Sequence, residues 1–402
     1  MARRNSTLTL AFALLTVAAC ATPQRLAPEP AASMAEANVG ISNVRFLVAR
    51  DSSAFEAEAL TALAKEKASL AARGAPPELP TAYFLAISGG GDNGAFGAGF
   101  LNGWTASGTR PEFKAVTGIS TGALIAPFAF LGSRYDGALE KFYTTISRKD
   151  ILKSRGMIKG VMSDAMADSS PLAKLIARNT DQALLDEIAA EYAKGRVLLV
   201  GTADLDSLEP VIWNMTAIAA SKAPGALQLF RSVLLASASI PGAFPPVMID
   251  VTVAGTHYQE MHGDGGTMAQ VFVYPPSIGT SLFQQAPRRR VLYIIRNARL
   301  DSTWENVPRR TMPIAARALG SLTTTQGVGD LYRIFAATQR DGVEFNFVYI
   351  PPTFRPHGKE QFDTGYMREL YAFGRQLAAA GYDWAMSPPG FERPVNPTPS
   401  AK

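Results

Sequence analysis

Two glycine-rich turns, each directly after an apolar run, constrain this chain more than any other feature. The first is Ile87-Ser88-Gly89-Gly90-Gly91-Asp92-Asn93-Gly94, which follows Tyr83-Phe84-Leu85-Ala86. The second is Gly118-Ile119-Ser120-Thr121-Gly122, which follows Lys114-Ala115-Val116-Thr117. An apolar run that stops at glycines and resumes as a helical pattern reads as strand, tight turn, helix. Further strands are expected at Arg196 to Ala203, Val211 to Asn214, Val247 to Val253, Val291 to Arg296 and Glu344 to Ile350. Helices are expected at Ser52 to Arg73, Gly94 to Ser107, Thr121 to Leu131, Asp181 to Lys194 and Asp363 to Ala380. Strands alternating with helices predict an α/β fold, a three-layer α/β/α body with a mostly parallel central sheet.

The second turn has the G-x-S-x-G form of a nucleophile elbow, a strained strand-to-helix turn that exposes a serine hydroxyl. Gly118 and Gly122 supply the small flanking residues that such a turn needs where it packs on neighbouring strand and helix. A bare G-x-S-x-G is common by chance, and a loop serine capping the next helix is the competing reading. Here the pattern sits between a strand and an apolar helix (Ala123, Leu124, Ile125, Ala126), the context that the elbow requires.

The first turn has its own competitor. Gly89, Gly91 and Gly94 spell the G-x-G-x-x-G of a dinucleotide-binding fold. That fold needs an acidic residue at the end of the second strand, whereas Glu112 precedes that strand and the serine elbow ends it. No Gly-Lys-Ser/Thr follows, which excludes a phosphate-binding P-loop. The glycines are better explained as an oxyanion cradle, with backbone N–H groups around Gly89, Gly90, Gly91, Asp92 and Gly94 approaching a substrate oxygen. A serine nucleophile beside an anion cradle is an acyl-transfer site.

Far downstream lies Ala236-Ser237-Ala238-Ser239-Ile240-Pro241-Gly242-Ala243-Phe244-Pro245-Pro246, and then His262-Gly263-Asp264-Gly265-Gly266. The latter reads as a tight loop, on which a lone Asp-Gly is ordinarily a turn residue. The order of glycine loop, G-x-S-x-G, Ala-Ser-x-Ser-x-Pro-x-x-Phe-Pro-Pro and Asp-Gly-Gly resembles the patatin-like phospholipase family. The resemblance runs from about Tyr83 to Gly266. It implies a patatin-like fold and lipid acyl hydrolysis by a serine–aspartate dyad without a catalytic histidine. It implies Ser120 as nucleophile, Asp264 as base, Gly265 and Gly266 as the loop supporting Asp264, and oxyanion donors in the Gly89–Gly94 loop. A dyad of this kind calls for a partly desolvated carboxylate, because an ordinary one is too weak a base for serine. One departure stands out: the family usually has Arg or Lys where this chain has Asn93.

Classical triads use histidine, and the chain has only His257, His262 and His357. A Ser-Asp-His order of α/β-hydrolase type would make His357 the base. From a different class comes a lipid-anchored binding protein that keeps the fold without turnover, for which Asn93 is the only support.

Arg3 and Arg4 followed by the apolar stretch Leu8 to Ala19 have the form of a secretory signal peptide over residues 1–19, too short to remain as a bilayer span. Val17-Ala18-Ala19-Cys20 resembles a bacterial lipobox, and Cys20 is the only cysteine of the 402 residues. Acylated Cys20 is therefore expected to hold the chain on a bacterial envelope membrane, facing the periplasm or exterior. Residues 20–79 are expected to hold a tether, rich in Ala and Pro from Ala21 to Ser33, and one helix. The body is expected over 80–386, and a proline-rich disordered tail over 387–402.

The net charge of +5 includes Arg3 and Arg4, and long Lys/Arg blocks are absent, which disfavours nucleic acid as partner. Zinc-ligand spacing and EF-hand loops are absent, so no metal or cofactor is expected. Ser147 to Val161 mixes basic and apolar residues as a membrane-facing lid would, although a solvated basic segment has the same look. Arg288-Arg289-Arg290 reads as a solvated loop edge.

Overall fold

The computed structural model describes residues 24–156, 163–275, 278, 283–301, 303–355 and 360–391. The expected signal segment, Cys20, His357, residues 157–162 of the basic segment and 392–402 of the tail lie outside these residues. Strands are β1 (Arg45–Leu47), β2 (Ala82–Ile87), β3 (Ala115–Ile119), β4 (Lys153–Ser154), β5 (Ala167–Asp168), β6 (Val197–Asp204), β7 (Glu209–Asn214), β8 (Val247–Val253), β9 (Thr256–Asp264), β10 (Arg290–Arg296) and β11 (Glu344–Tyr349). The principal helices are α1 (Ser52–Ala72), α2 (Gly94–Ala106), α3 (Thr121–Leu131), α4 (Asp136–Thr145), α5 (Gln182–Ala193), α6 (Ala226–Ser237), α7 (Thr311–Asp341) and α8 (Thr364–Ala379).

The main sheet runs β1-β7-β6-β3-β2-β10-β11. Its centre, β6, β3, β2, β10 and β11, is parallel. Only β7 and β1 at one edge and the β8–β9 hairpin are joined by antiparallel pairing. Side-chain alternation explains why both faces are covered. Leu85 and Ile87 of β2, Leu198 and Val200 of β6 and Ile295 of β10 join the largest core with α2, α3 and α8. Their neighbours Ala86, Leu292 and Ile294 face Leu331 of α7, and Leu199 and Ile212 face Phe55 of α1.

Strand length creates the site. β6 has eight residues and β3 only five, so β6 runs on past the point where β3 stops. The last β3 pair is Ile119 opposite Gly201, and the vacated edge of β6 is taken by β9, with Asp264 opposite Thr202. The residue after Ile119 and the last residue of β9 therefore come together at one step along the same edge.

Several expectations change. Asp264, expected on a tight loop, ends a nine-residue strand and begins a short 3-10 turn, Gly265–Thr267. The alternation of β9 is broken by Gly263 and polar side chains, which hid it. From residue 24 onward the expected tether lies on the body: Arg25 pairs with Asp206 at 2.7 Å, Gln259 N–H donates to the Ala27 carbonyl, and Glu29 is buried. The body starts before residue 80, since β1 completes the sheet edge. Arg290 is buried and Arg288 half-buried, whereas Arg289 is exposed as a loop edge would be; Arg288 pairs with Glu66 at 2.7 Å and Arg290 donates to the Phe283 carbonyl at 2.9 Å. In the expected tail, the Pro389 carbonyl accepts from the Tyr332 hydroxyl at 2.6 Å.

Candidate active site

Ser120 occupies φ +55°, ψ −125°, a conformation that a side-chain-bearing residue adopts only when its surroundings impose it. The surroundings are backbone. A Cβ on Gly118 would lie 2.4 Å from the Gly122 carbonyl oxygen, and one on Gly122 would lie 2.2 Å from that of Ile87. Only glycine on both sides lets β3 turn this sharply against β2 and start α3. The turn leaves Ser120 Oγ donating to Asp264 Oδ2 at 2.6 Å. Asp264 Oδ1 in turn accepts from Gly266 N–H at 2.7 Å, which fixes the carboxylate plane. Gly265 is pressed against β6, where a Cβ would lie 2.5 Å from the Gly201 carbonyl oxygen.

The Ala-Ser-x-Ser segment clasps both residues at once. Ser237 Oγ accepts from Ser120 N–H at 3.0 Å and donates to the Gly201 carbonyl at 2.7 Å. Two residues on, the Ser239 carbonyl accepts from Asp264 N–H at 2.9 Å. The sequence motif was visible, but its role as a clasp needs the fold.

Asp264 and Ser120 are both buried. Burial pushes the Asp264 carboxyl up to about 7, against the lowering effect of the bonds from Ser120 and Gly266. The carboxyl that faces Ser120 is thus a desolvated one.

Residues 85–275 match the family model for patatin-like phospholipase. The chain carries a patatin-like phospholipase domain. That family consists of lipid acyl hydrolases, and the match embraces the glycine loop, the elbow, the serine clasp and Asp264. No curated protein sequence matches the chain. Among solved structures, VipD from Legionella pneumophila is 11% identical over 76% of this chain and 67% of its own, with a TM-score of 0.37. A likeness of that degree supports no argument.

The patatin-like domain holds its glycine loop against β10 through Asn297, which sequence reasoning missed. Asn297 donates from N–H to Ser88 Oγ at 2.8 Å and from Nδ2 to the Ser88 carbonyl at 2.9 Å, and its Oδ1 accepts from Gly97 N–H at 2.9 Å. Gly90, at φ +157°, passes so close that a Cβ would sit 2.2 Å from the Asn297 carbonyl oxygen. Not every expected donor of the loop is available. Gly89 N–H is spent on the Gln270 carbonyl at 3.0 Å, and Gly94 N–H turns back to the Gly91 and Asp92 carbonyls. Both belong to the support of the loop, not to an oxyanion. Gly90 and Gly91 N–H make no hydrogen bond among the described residues. The Asp92 side chain is also committed, accepting from Phe362 N–H at 3.0 Å. Asn93, where the family carries a cation, accepts from the Tyr366 hydroxyl at 2.7 Å.

Gly91, Asp92 and Ser120 open on an apolar pocket whose walls include Leu124, Phe142, Ile151, Leu172, Phe244 and Met367. Ile151 comes from the expected lid segment, on a one-turn helix, Arg148–Ile151, with Arg148 and Lys149 exposed outside it. Two further pockets lie on the opposite sheet face, one lined by Phe46, Phe55 and Leu199; the other borders Ile119 and Gly265 but not Ser120.

Neither described histidine reaches Ser120 or Asp264. His257 lies beside Thr252 at the far end of the β8–β9 hairpin, at 3.3 Å. His262 is a buried β9 residue between Thr202 Oγ1 at 3.0 Å and Glu260 at 2.9 Å, and burial pushes its imidazole down to about 4. Glu112, the acidic residue near the nucleotide-binding position, is exposed beside Arg196 at 3.7 Å, before β3 begins.

Proposed function

We propose that this chain is a serine esterase that hydrolyses carboxylic esters of membrane (phospho)lipids with Ser120 as nucleophile and Asp264 as base. The reading is carried by the 2.6 Å bond between Ser120 Oγ and a buried Asp264 carboxylate. Asp264 takes the hydroxyl proton as Oγ attacks the ester carbonyl. The negative charge on the carbonyl oxygen is met by N–H groups of the glycine loop, for which Gly90 and Gly91 are the available donors. Collapse expels the alcohol, which receives the proton, and leaves an acyl-Ser120. Water then attacks that ester with Asp264 again as base. The apolar cavity beside Ser120 suits the acyl chain.

The signal pattern and lipobox support an acylated Cys20 that keeps the enzyme on an envelope membrane, facing the periplasm or exterior, where its substrate resides. The test is labelling with a fluorophosphonate probe together with turnover of a short-chain p-nitrophenyl ester. Ser120→Ala is expected to lose both. Asp264→Asn is expected to lose about 10⁴-fold or more in kcat, as loss of a single member of a catalytic triad does elsewhere. Full activity in Asp264→Asn overturns the dyad, and an unlabelled Ser120 in folded protein favours a binding module.

A further inference from the structure

The first half of α7 stands clear of the body formed by the other described residues. Residues 318–325 are exposed throughout, and Met312, Leu319 and Leu322 keep 63%, 58% and 67% of their surface in water. Trp304, just before the helix, is 90% exposed. Met312, Ala315, Leu319 and Leu322 fall on one helical stripe, with Arg317 off it. An exposed apolar stripe of this length marks an interaction site.

Its root is fixed beside the proposed catalytic loop. Gln326 Oε1 accepts from Gln270 Nε2 at 3.2 Å, and Gln270 Nε2 also donates to the Gly266 carbonyl at 2.6 Å. Gly327 lies under the Arg296 guanidinium, where a Cβ would come within 2.0 Å of it. From there α7 descends along the sheet to β11, so its other end projects beyond the edge at which Ser120 sits. Residues 311 to 326 give an arm of about 24 Å at 1.5 Å per residue.

Charge decides what it meets. From Asn306 to Gly329 the chain has Arg309, Arg310 and Arg317 and no Asp or Glu. The nearest carboxylate, Glu305, pairs with Arg317 at 3.2 Å. Arg309 and Arg310 at the free end of the arm offer cations beside an apolar stripe, a combination that an anionic bilayer answers with phosphates and lipid chains at once.

We propose that Trp304 and residues 311–325 form a docking arm for a bilayer rich in anionic lipid, which brings that surface to the Ser120 edge. The inference rests on the reading of the domain as a lipid hydrolase, and it deepens that reading by naming the surface. Trp304 is the exposed one of the chain's four tryptophans, the others being buried or half-buried. Its emission, taken as the difference between the full chain and a Trp304→Phe variant, reports the arm even if another segment also holds the membrane. On vesicles of phosphatidylglycerol and phosphatidylcholine with brominated chains, that emission is expected to shift to shorter wavelength and be quenched at least 2-fold. Pure phosphatidylcholine is expected to give little change. Met312→Ser/Leu319→Ser/Leu322→Ser is expected to abolish the quenching. Arg309→Gln/Arg310→Gln/Arg317→Gln is expected to weaken vesicle affinity about 10-fold or more. Turnover of a soluble p-nitrophenyl ester is expected to stay unchanged in both variants. Trp304 emission that is unmoved by either vesicle overturns the proposal. So does a concentration-dependent dimer that the triple serine variant dissolves while quenching persists. If the parent chain turns over no ester, the hydrolase reading fails, while the quenching still decides the arm.

Discussion

Ser120 and Asp264 meet at one hydrogen bond but reach it by different physical routes. Ser120 is placed locally: a five-residue strand ends, and two glycines allow the only turn that fits against β2. Asp264 arrives from 144 residues further along the chain, held by the register of β9 on the part of β6 that β3 leaves empty. One partner depends on a turn, the other on a difference in strand length. The first route concentrates its tolerance for error at a few backbone contacts. The second spreads it over a ladder, with the serine clasp keeping the two ends aligned.

The largest effect that separates the routes is expected at Gly122. Alanine there puts a Cβ 2.2 Å from the Ile87 carbonyl oxygen, and neither backbone can give way without moving β2. Gly122→Ala is expected to cost more than about 4 kcal/mol, in the range where a domain of ordinary stability no longer folds. Soluble yield and thermal unfolding check it. By contrast Gly263→Ala, on β9, meets nothing nearer than a Leu205 methyl at 3.4 Å and is expected to fold with only a small loss. Equal behaviour of the two variants would remove the distinction between a turn-placed and a ladder-placed partner.

The elbow could be read in the sequence because close backbone approach leaves a chemical signature, glycine at fixed spacing. The same holds for Gly265. Register leaves no such signature. Asp264 looked like a turn residue because nothing in His262-Gly263-Asp264 says that β6 outruns β3. Nor does a glycine-rich loop show which of its amides are already used: Gly89 and Gly94 bond within the fold, and only the coordinates separate them from Gly90 and Gly91. The long helix α7 escaped for another reason. Its apolar residues face water in one half and the sheet in the other, so no single stripe runs through it.

The next effect concerns the ladder-placed partner. Burial raises the folded-state pKa of Asp264 to about 7, well above the unfolded value near 3.9. The folded state therefore holds this proton more tightly than the unfolded chain. The resulting stabilisation is full below about pH 4 and is lost as pH rises through 7. Activity is expected to run the other way, since the proposed base acts only when ionised: kcat/KM for a soluble ester is expected to climb with pH through about 7 and level off above it. Asp264→Asn is expected to be more stable than the parent at pH 8, by on the order of 1–4 kcal/mol, and as stable as the parent at pH 4. A variant less stable at pH 8 would mean that the carboxylate is not desolvated, and the second route would lose its functional meaning.

Smaller again is the clasp. Ser237→Ala leaves Ser120 N–H without its acceptor and the Gly201 carbonyl without a donor, inside the core. The expected loss is about 1–3 kcal/mol of stability with a fall in kcat and little change in KM, because the elbow loosens while the cavity stays. Ser237→Cys, which keeps a weaker donor and acceptor, is expected to lie between. If stability falls while kcat is untouched, the clasp holds the core together without aligning the dyad.

The smallest effect tests the loop on the other side of the elbow. In this chain Asn93 Oδ1 accepts from the Tyr366 hydroxyl, and Asp92 beside it accepts from Phe362 N–H. Both side chains tie the glycine loop to the α8 region instead of offering a charge to the substrate. Arginine at 93 has no acceptor for Tyr366, so Asn93→Arg is expected to lose about 0.5–1.5 kcal/mol of stability. Its effect on soluble-ester kcat/KM is expected to stay within about 3-fold, because the donors assigned to the oxyanion are Gly90 and Gly91. Asn93→Asp, which keeps an acceptor, is expected to retain the stability that Asn93→Ala loses. A rise in kcat/KM of about 10-fold or more in Asn93→Arg would say that a cation at this position reaches the developing charge after all. The glycine loop would then belong with the elbow as a site placed by local geometry, awaiting only the residue that this chain has exchanged for a tie to Tyr366.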